Sequence, residues 1–227
     1  MTTFETDIPM TEYRSLYLLT GGKSRRMGQD KASLTFDDFD TLLEYQVERC
    51  HSVFHDVVLL SGQKTYPVPN RHVFDELADA GPLSGILSGL RDARSDKAGE
   101  KAPDTIAVMA VDLPLVTLET LHHLFTRPMP EHCDVLIAGA TRSPLASGGD
   151  GAESAMKAEQ KTYQPLLGIY HSRVEKQLED YLKSGNRSVA GFLEQVRVSV
   201  LPVKEEEIRN INTKEEYQKV VHKRKRN

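Results

Sequence analysis

Residues able to bind and move a phosphate gather at four places in the chain. The first is Gly21-Gly22-Lys23-Ser24-Arg25-Arg26-Met27-Gly28-Gln29-Asp30-Lys31, directly behind the apolar run Leu16-Tyr17-Leu18-Leu19 and Thr20. Glycines admit positive φ and let backbone N–H groups approach a ligand. Successive N–H groups in such a turn form an anion-binding concavity, and Lys23, Arg25, Arg26 and Lys31 surround it with positive charge. A polyphosphate suits that chemistry; a glycine turn with solvated charges is the plainer alternative. The second place is Asp112, which ends the apolar run Ile106-Ala107-Val108-Met109-Ala110-Val111 ahead of Leu113-Pro114. A Mg²⁺ ion is usually held by one or two carboxylates plus substrate phosphates, and Asp112 supplies such a ligand. Its alternative is to cap the next helix, for which Thr117 is better placed.

The third place is Asp75, behind Val73-Phe74 and ahead of Gly81-Pro82-Leu83-Ser84-Gly85, where Pro82 suits the start of a helix. Aspartates also form turns, and Glu76 and Asp79 are nearby rivals. The fourth is Arg209-Asn210-Ile211-Asn212-Thr213. On an extended segment Asn210 and Asn212 project to one side and offer paired amide donors and acceptors. Asn and Thr also cap helices, and Thr213 with Glu216 makes a capping box.

The elements that must position these groups alternate. Strands are predicted at Ser15–Thr20, Asp56–Leu60, His72–Phe74, Thr105–Val111, Asp134–Ala138, Leu166–Tyr170 and Val196–Val203. Several are continuously apolar, as strands buried on both faces of a mostly parallel sheet should be. Helical stripes fall between them at Leu43, Val47, Cys50, at Leu118, Leu121, Leu124, Phe125, and at Val174, Leu178, Tyr181, Leu182, with a last helix over Glu215–Val221. The expectation is a single-domain α/β fold: a mostly parallel, Rossmann-like sheet with helices on both faces. Ligands of such sheets bind at the carboxyl ends of the strands, where the Gly21-Gly22 turn sits. Residues 1–14 read as an N-terminal extension, 15–221 as the domain and 222–227 as a basic tail. Thr141–Thr162, rich in Ser, Gly, Ala and Lys, reads as a mobile polar loop, either a lid facing substrate or a surface insertion.

At 227 residues the chain can bury a sizeable core. Its formal net charge of −4 argues against non-specific nucleic-acid binding and makes the basic turn a local feature. Two cysteines, Cys50 and Cys133, cannot build a disulfide framework and read as small core residues. No signal peptide or membrane-spanning stretch is predicted, so the expected location is the cytoplasm.

Familiar phosphate loops do not fit. Gly28 is followed by Gln29 rather than the Lys of a Walker A loop, and the adjacent Gly21 and Gly22 break the spacing of a dinucleotide-binding turn. The stretch resembles the signature L-x-G-G-x-S-x-R-M-G-x-D-K of nucleotidyltransferases, and specifically the molybdenum-cofactor guanylyltransferases of the MobA type. Asp112-Leu113-Pro114 matches that family's Asp-x-Pro motif, and Gln164-Pro165-Leu166, Gly185-Asn186-Arg187-Ser188 and Asn210-Ile211-Asn212-Thr213 resemble its second half. The resemblance runs from about Ser15 to Tyr217. Thr20 departs from it, standing where the family usually has Ala, and so does the long polar loop.

The resemblance implies a fold of the nucleotide-diphospho-sugar transferase type, with a nucleotide half at about 15–125 and an acceptor half at about 126–221. It implies transfer of GMP from GTP to the phosphate of molybdopterin, with Mg²⁺ as cofactor and pyrophosphate as leaving group. Leu19, Thr20, Gly21, Gly22, Lys31, Asp75, Gly81, Pro82, Leu83, Gly85 and Asp112 would bind the nucleotide. Lys31, Arg25 and Asp112 would carry the catalysis, with Asp112 the metal ligand. Arg187, Asn210 and Asn212 would face the acceptor, a surface arginine being the rival reading of Arg187. Implied partners are the two substrates, with transient contact to other proteins of cofactor biosynthesis and to recipient molybdoenzymes, and neither nucleic acid nor membrane. Adjacent glycines favour guanine within the family. The competing readings are a cytidylyltransferase or a sugar- or polyol-phosphate nucleotidyltransferase of the same fold, and a non-catalytic carrier of the cofactor.

Overall fold

The structure, a computed structural model, describes residues 13–20, 30–95, 103–141, 161–211 and 213–224. Its elements follow in the order β1 (Ser15–Leu19), α1 (Leu42–His51), β2 (Asp56–Leu60), β3 (His72–Val73), α2 (Pro82–Ser95), β4 (Thr105–Ala110), α3 (Leu118–Phe125), β5 (Val135–Thr141), β6 (Lys161–His171), α4 (Glu175–Lys183), α5 (Val189–Leu193), β7 (Val198–Pro202) and α6 (Lys214–Arg224). A 3-10 turn at Lys31–Ser33 precedes α1.

These strands form one sheet in the order β3-β2-β1-β4-β6-β5-β7. Among the described strands only β6 runs against its neighbours, pairing antiparallel with both β4 and β5. The sheet is therefore mostly parallel, as expected. Alternate side chains of the central strands feed two apolar layers. Leu16, Leu18, Val57 and Leu59 pack with Leu42, Leu43, Leu121 and Phe125 on one face. Tyr17, Leu19, Val58 and Leu60 pack with Leu83, Ile86, Leu87, Leu178 and Phe192 on the other. Helices α1, α3 and α6 thus cover one face, and α2, α4 and α5 the other. Cys50 and Cys133 are buried free thiols, and burial pushes the Cys50 thiol up to about 11.

Local signals hold where the chemistry is local. Thr117 Oγ1 accepts from the Thr120 N–H at 3.1 Å and caps α3. Thr213 and Glu216 make the expected reciprocal box before α6, both bonds at 3.1 Å. Pro82 opens α2.

Several expectations need correction. Thr20, Phe74 and Val111 lie just beyond their strands, so Asp75 and Asp112 stand two residues past the last residues of β3 and β4 rather than directly on them. Strand β7 is shorter than Val196–Val203. The polar stretch 141–162 is not all loop: Thr141 pairs with Lys161 and Ala140 with Thr162, extending the β5–β6 hairpin. Backbone ladder bonds hold that extension without an apolar pattern, and a register shift between Ile137 and Ala138 falls opposite Pro165, which cannot donate to the ladder. The remainder of the loop lies outside the described residues. Finally, α5 was not predicted, because five residues are too few to show a helical period.

Candidate functional site

At the carboxyl ends of β1 and β4 two segments meet. Leu19 O accepts from the Val111 N–H at 2.9 Å, carrying the pairing of the two strands one residue beyond β4. Asp30 Oδ1 accepts from the Ala32 N–H at 3.1 Å and caps the 3-10 turn whose first residue is Lys31. Lys31 Nζ then lies 2.7 Å from Asp112 Oδ2, and both side chains are about one-sixth exposed (16% and 17%). A pair so situated is poorly screened but open on one side.

The other carboxylate oxygen is also occupied. Asn210 Nδ2 donates to Asp112 Oδ1 at 2.8 Å, and Asn210 Oδ1 accepts from Gln164 Nε2 at 2.6 Å. Gln164 also donates to the Ile208 carbonyl at 3.1 Å, and the Ile211 N–H donates to the Asp112 carbonyl at 3.1 Å. Residues on both sides of β4 therefore fix one carboxylate from both oxygens. Its own backbone is held from α1. Gln46 Nε2 donates to the Val111 carbonyl at 2.8 Å, and Arg49 donates to the carbonyls of Pro114 (3.2 Å) and Val116 and to Gln46 Oε1 (3.1 Å). Arg49 is buried, with only 2% of its surface exposed, so these carbonyls replace the water its charge has lost.

Beside this centre lies a second group. Pairing continues past β2 and β3: Ser61 N donates to Val73 O at 3.1 Å and Asp75 N to Gly62 O at 2.8 Å. Gly81 has φ +75°, the turn that lets Pro82 open α2. A Cβ on Gly85 would stand 2.7 Å from Leu19 Cδ2 and 3.6 Å from Asp75 Oδ1, so α2 meets β1 closely only because residue 85 is glycine. Burial pushes the Asp75 carboxyl up to about 6, a hydrogen bond with Ser84 acting in the opposite direction. A half-buried carboxylate with so few donors is suited to accept from a ligand.

Of the residues expected at the site, Lys31, Asp112 and Asn210 come together, and Leu19, Asp75 and Gly85 form the adjoining group. Thr20 N and Oγ1 donate to Leu60 O, at 3.1 and 3.3 Å. Leu83, in the first turn of α2, is buried in the apolar layer with Leu19 and Leu60. Arg187 stands apart in the turn between α4 and α5, its Nη1 donating to the carbonyls of Leu182 and Asn186, both at 2.7 Å. Gly21, Gly22, Arg25 and Asn212 lie outside the described residues. Sequence reasoning missed Gln46, Arg49 and Tyr66 and gave Gln164 no role of its own. Gln46 and Arg49 left a faint signal, as polar residues beside the Leu43–Val47–Cys50 stripe of α1.

A family model for the MobA-like NTP transferase domain matches residues 16–198. The chain belongs to that family. It is similar to a protein of Methanosarcina mazei named "probable molybdenum cofactor guanylyltransferase", 31% identical over 231 aligned positions that span 92% of this chain and 90% of the relative. Its fold is that of the molybdopterin-guanine dinucleotide biosynthesis protein A from Archaeoglobus fulgidus, with TM-score 0.71, 21% identity, and coverage of 94% of this chain and 100% of that one. The fold is also shared with 2-C-methyl-D-erythritol 4-phosphate cytidylyltransferase from Thermus thermophilus, with TM-score 0.63, 11% identity, and coverage of 93% and 98%. The MobA-like family makes this chain a nucleotidyltransferase. Its sheet is common to enzymes named for different nucleotides and acceptors, so specificity must come from side chains. No helix among the described residues is long and apolar enough to cross a membrane.

Proposed function

We propose that the chain transfers GMP from GTP to the phosphate of molybdopterin and releases pyrophosphate. The observation that carries the reading is the Lys31–Asp112–Asn210 junction. It puts a cation and a fixed carboxylate together at the strand ends, joined to an amide from the other half of the chain. The family membership and the names of its relatives support the choice of substrates.

In this reading the nucleotide enters the half at 15–125 and the acceptor the half at 126–221. The phosphates lie against Leu19, Thr20, Gly21 and Gly22, and the nucleoside against Asp75, Gly81, Pro82, Leu83 and Gly85. Lys31 leaves Asp112 to neutralise the triphosphate, and Arg25 offsets charge on the departing pyrophosphate. Arg187, Asn210 and Asn212 orient the acceptor. A phosphate monoester is largely ionised near pH 7, so its oxygen attacks the α-phosphorus in line without a general base. Positioning and charge neutralisation then supply the rate.

Asp112 is the residue that would hold Mg²⁺. A single fixed carboxylate suits an ion that draws its other ligands from substrate phosphates and water. When bound there it supplies Lewis-acid polarisation of the phosphate. The chain operates in the cytoplasm and meets other cofactor-biosynthesis proteins and recipient enzymes only transiently.

Thermal denaturation with GTP, CTP, ATP or UTP, each with and without Mg²⁺, tests the nucleotide. A ligand at a hundred times its Kd stabilises by about 2.7 kcal/mol. A shift confined to GTP with Mg²⁺ is expected. A shift led by CTP would replace the nucleotide and retain the site; no shift with any of them would favour a carrier.

A further inference from the structure

The charged glycine-rich stretch is bracketed by two described points, Thr20 and Asp30, and one phenol reaches both. Tyr66, from the connection between β2 and β3, places its hydroxyl 3.0 Å from Asp30 Oδ2 and 3.2 Å from the Thr20 carbonyl. Its ring is buried, and burial, reinforced by the Asp30 charge, raises the phenol well above the ordinary tyrosine range. The hydroxyl is therefore a proton donor at any physiological pH, and the carboxylate is the stronger of its two acceptors.

Tyr66 is itself held. Its N–H donates to His72 Nε2 at 3.0 Å, and the two rings stack with centroids 6.3 Å apart. Asp30 uses its oxygens for different tasks. Oδ2 takes Tyr66 and Lys64 Nζ (2.6 Å), while Oδ1 caps the turn that begins at Lys31. Lys64 is half exposed, so its pair with Asp30 is weakened by water and salt. The buried phenol is the firmer anchor.

A lysine has four rotatable side-chain bonds, and its ammonium is only as well placed as the backbone that carries it. Catalysis by positioning needs reacting groups held to about half an ångström. We infer that Tyr66 is a positioning residue for nucleotide transfer: through Asp30, its hydroxyl fixes the point from which Lys31 meets the triphosphate. This rests on the proposed function, since it presumes that Lys31 contacts nucleotide.

Tyr66→Phe removes the hydroxyl and keeps the ring in the core. Steady-state transfer from GTP with Mg²⁺ is measured for wild type, Tyr66→Phe, Lys31→Ala and the double variant, beside thermal midpoints. Tyr66→Phe should lower kcat/KM for GTP by roughly tenfold or more, because small misplacements of catalytic groups are costly. In the Lys31→Ala background the same change should cost less than about twofold, since the side chain that it aims is gone. An equal loss in both backgrounds, or no loss in wild type, overturns the inference while leaving the proposed function standing. If Lys31→Ala itself leaves kcat/KM unchanged, the role of Lys31 fails, and this inference with it. Asp30→Asn, similar in size and still able to cap the turn, reads the same link from the other side and should show the same non-additivity; independent effects there also overturn it.

Discussion

The two halves of the sheet prepare for their ligands differently. Strands β3, β2, β1 and β4 run parallel, the inner three buried on both faces, and several charged residues at their carboxyl ends already have partners: Lys31 on Asp112, Asp30 on Tyr66 and Lys64. Beyond β4 the sheet mixes directions and shifts register, and it leaves Tyr163 and Val200 47% and 40% exposed. These two close over Gly139, where a Cβ would lie 2.5 Å from Val200 and 3.0 Å from Tyr163. Arg187 there donates to backbone carbonyls of Leu182, at the end of α4, and of Asn186. In the proposed division, the nucleotide half is pre-organised, while the acceptor half sends two amides, Gln164 and Asn210, to the centre and keeps an open surface.

If that contrast is functional, the largest losses belong to the junction. Lys31→Ala and Asp112→Asn should each cut turnover by about 10²–10⁴-fold with thermal midpoints within a few degrees of wild type, the scale of lost charge stabilisation in a transition state. Near-normal turnover in either variant would break the comparison at its strongest point. Gln164→Leu comes next. It leaves Asn210 without its donor and should reduce kcat by roughly 10–100-fold, as loss of a supporting partner does at metal sites. A change in acceptor KM alone would instead place Gln164 with the acceptor.

Arg187→Ala should raise the acceptor KM by about tenfold and leave the GTP KM unchanged, because a charge-assisted bond to phosphate contributes roughly 1.5–3 kcal/mol. An altered GTP KM would erase the division between halves. The mildest test uses pH. The Asp75 carboxyl, at about 6 in the fold, binds a proton that the unfolded chain has released above about 4. Stability from this group therefore falls as pH rises from about 4 to 6, and its ionised form disfavours the fold above that window. Asp75→Asn should remove that part of the slope and raise the thermal midpoint at pH 7–8 while weakening GTP binding; an unchanged slope would contradict the assignment.

Much of the fold up to α3 was legible in the sequence because its signals are local or chemical. Residues 57–60 are a continuous apolar run, and Asp56–Leu60 forms the strand expected of it; Thr117 and Pro82 mark helix starts by short-range bonding and fixed φ. Lys31 and Asp112, 81 residues apart, stand out as candidates for one site from their charges and from resemblance, whereas their contact needs the fold. Tyr66, Gln46, Arg49 and Gln164 were not legible as partners. A buried polar residue satisfied by a distant carbonyl looks, in one sequence, like an exposed one. Arg49 is bonded to Pro114, 65 residues on, and only the packing of α1 against the segment after β4 reveals why its charge is tolerated. Short elements without a period, such as α5, and the polar end of the β5–β6 hairpin escaped for lack of pattern.

The most direct test follows α-labelled GTP, with Mg²⁺ and molybdopterin, in wild type and Asp112→Asn. The account predicts label on the acceptor with one pyrophosphate released per transfer in wild type, and loss of both in the variant. Label that stays on GTP in wild type, or moves equally well in Asp112→Asn, would contradict it.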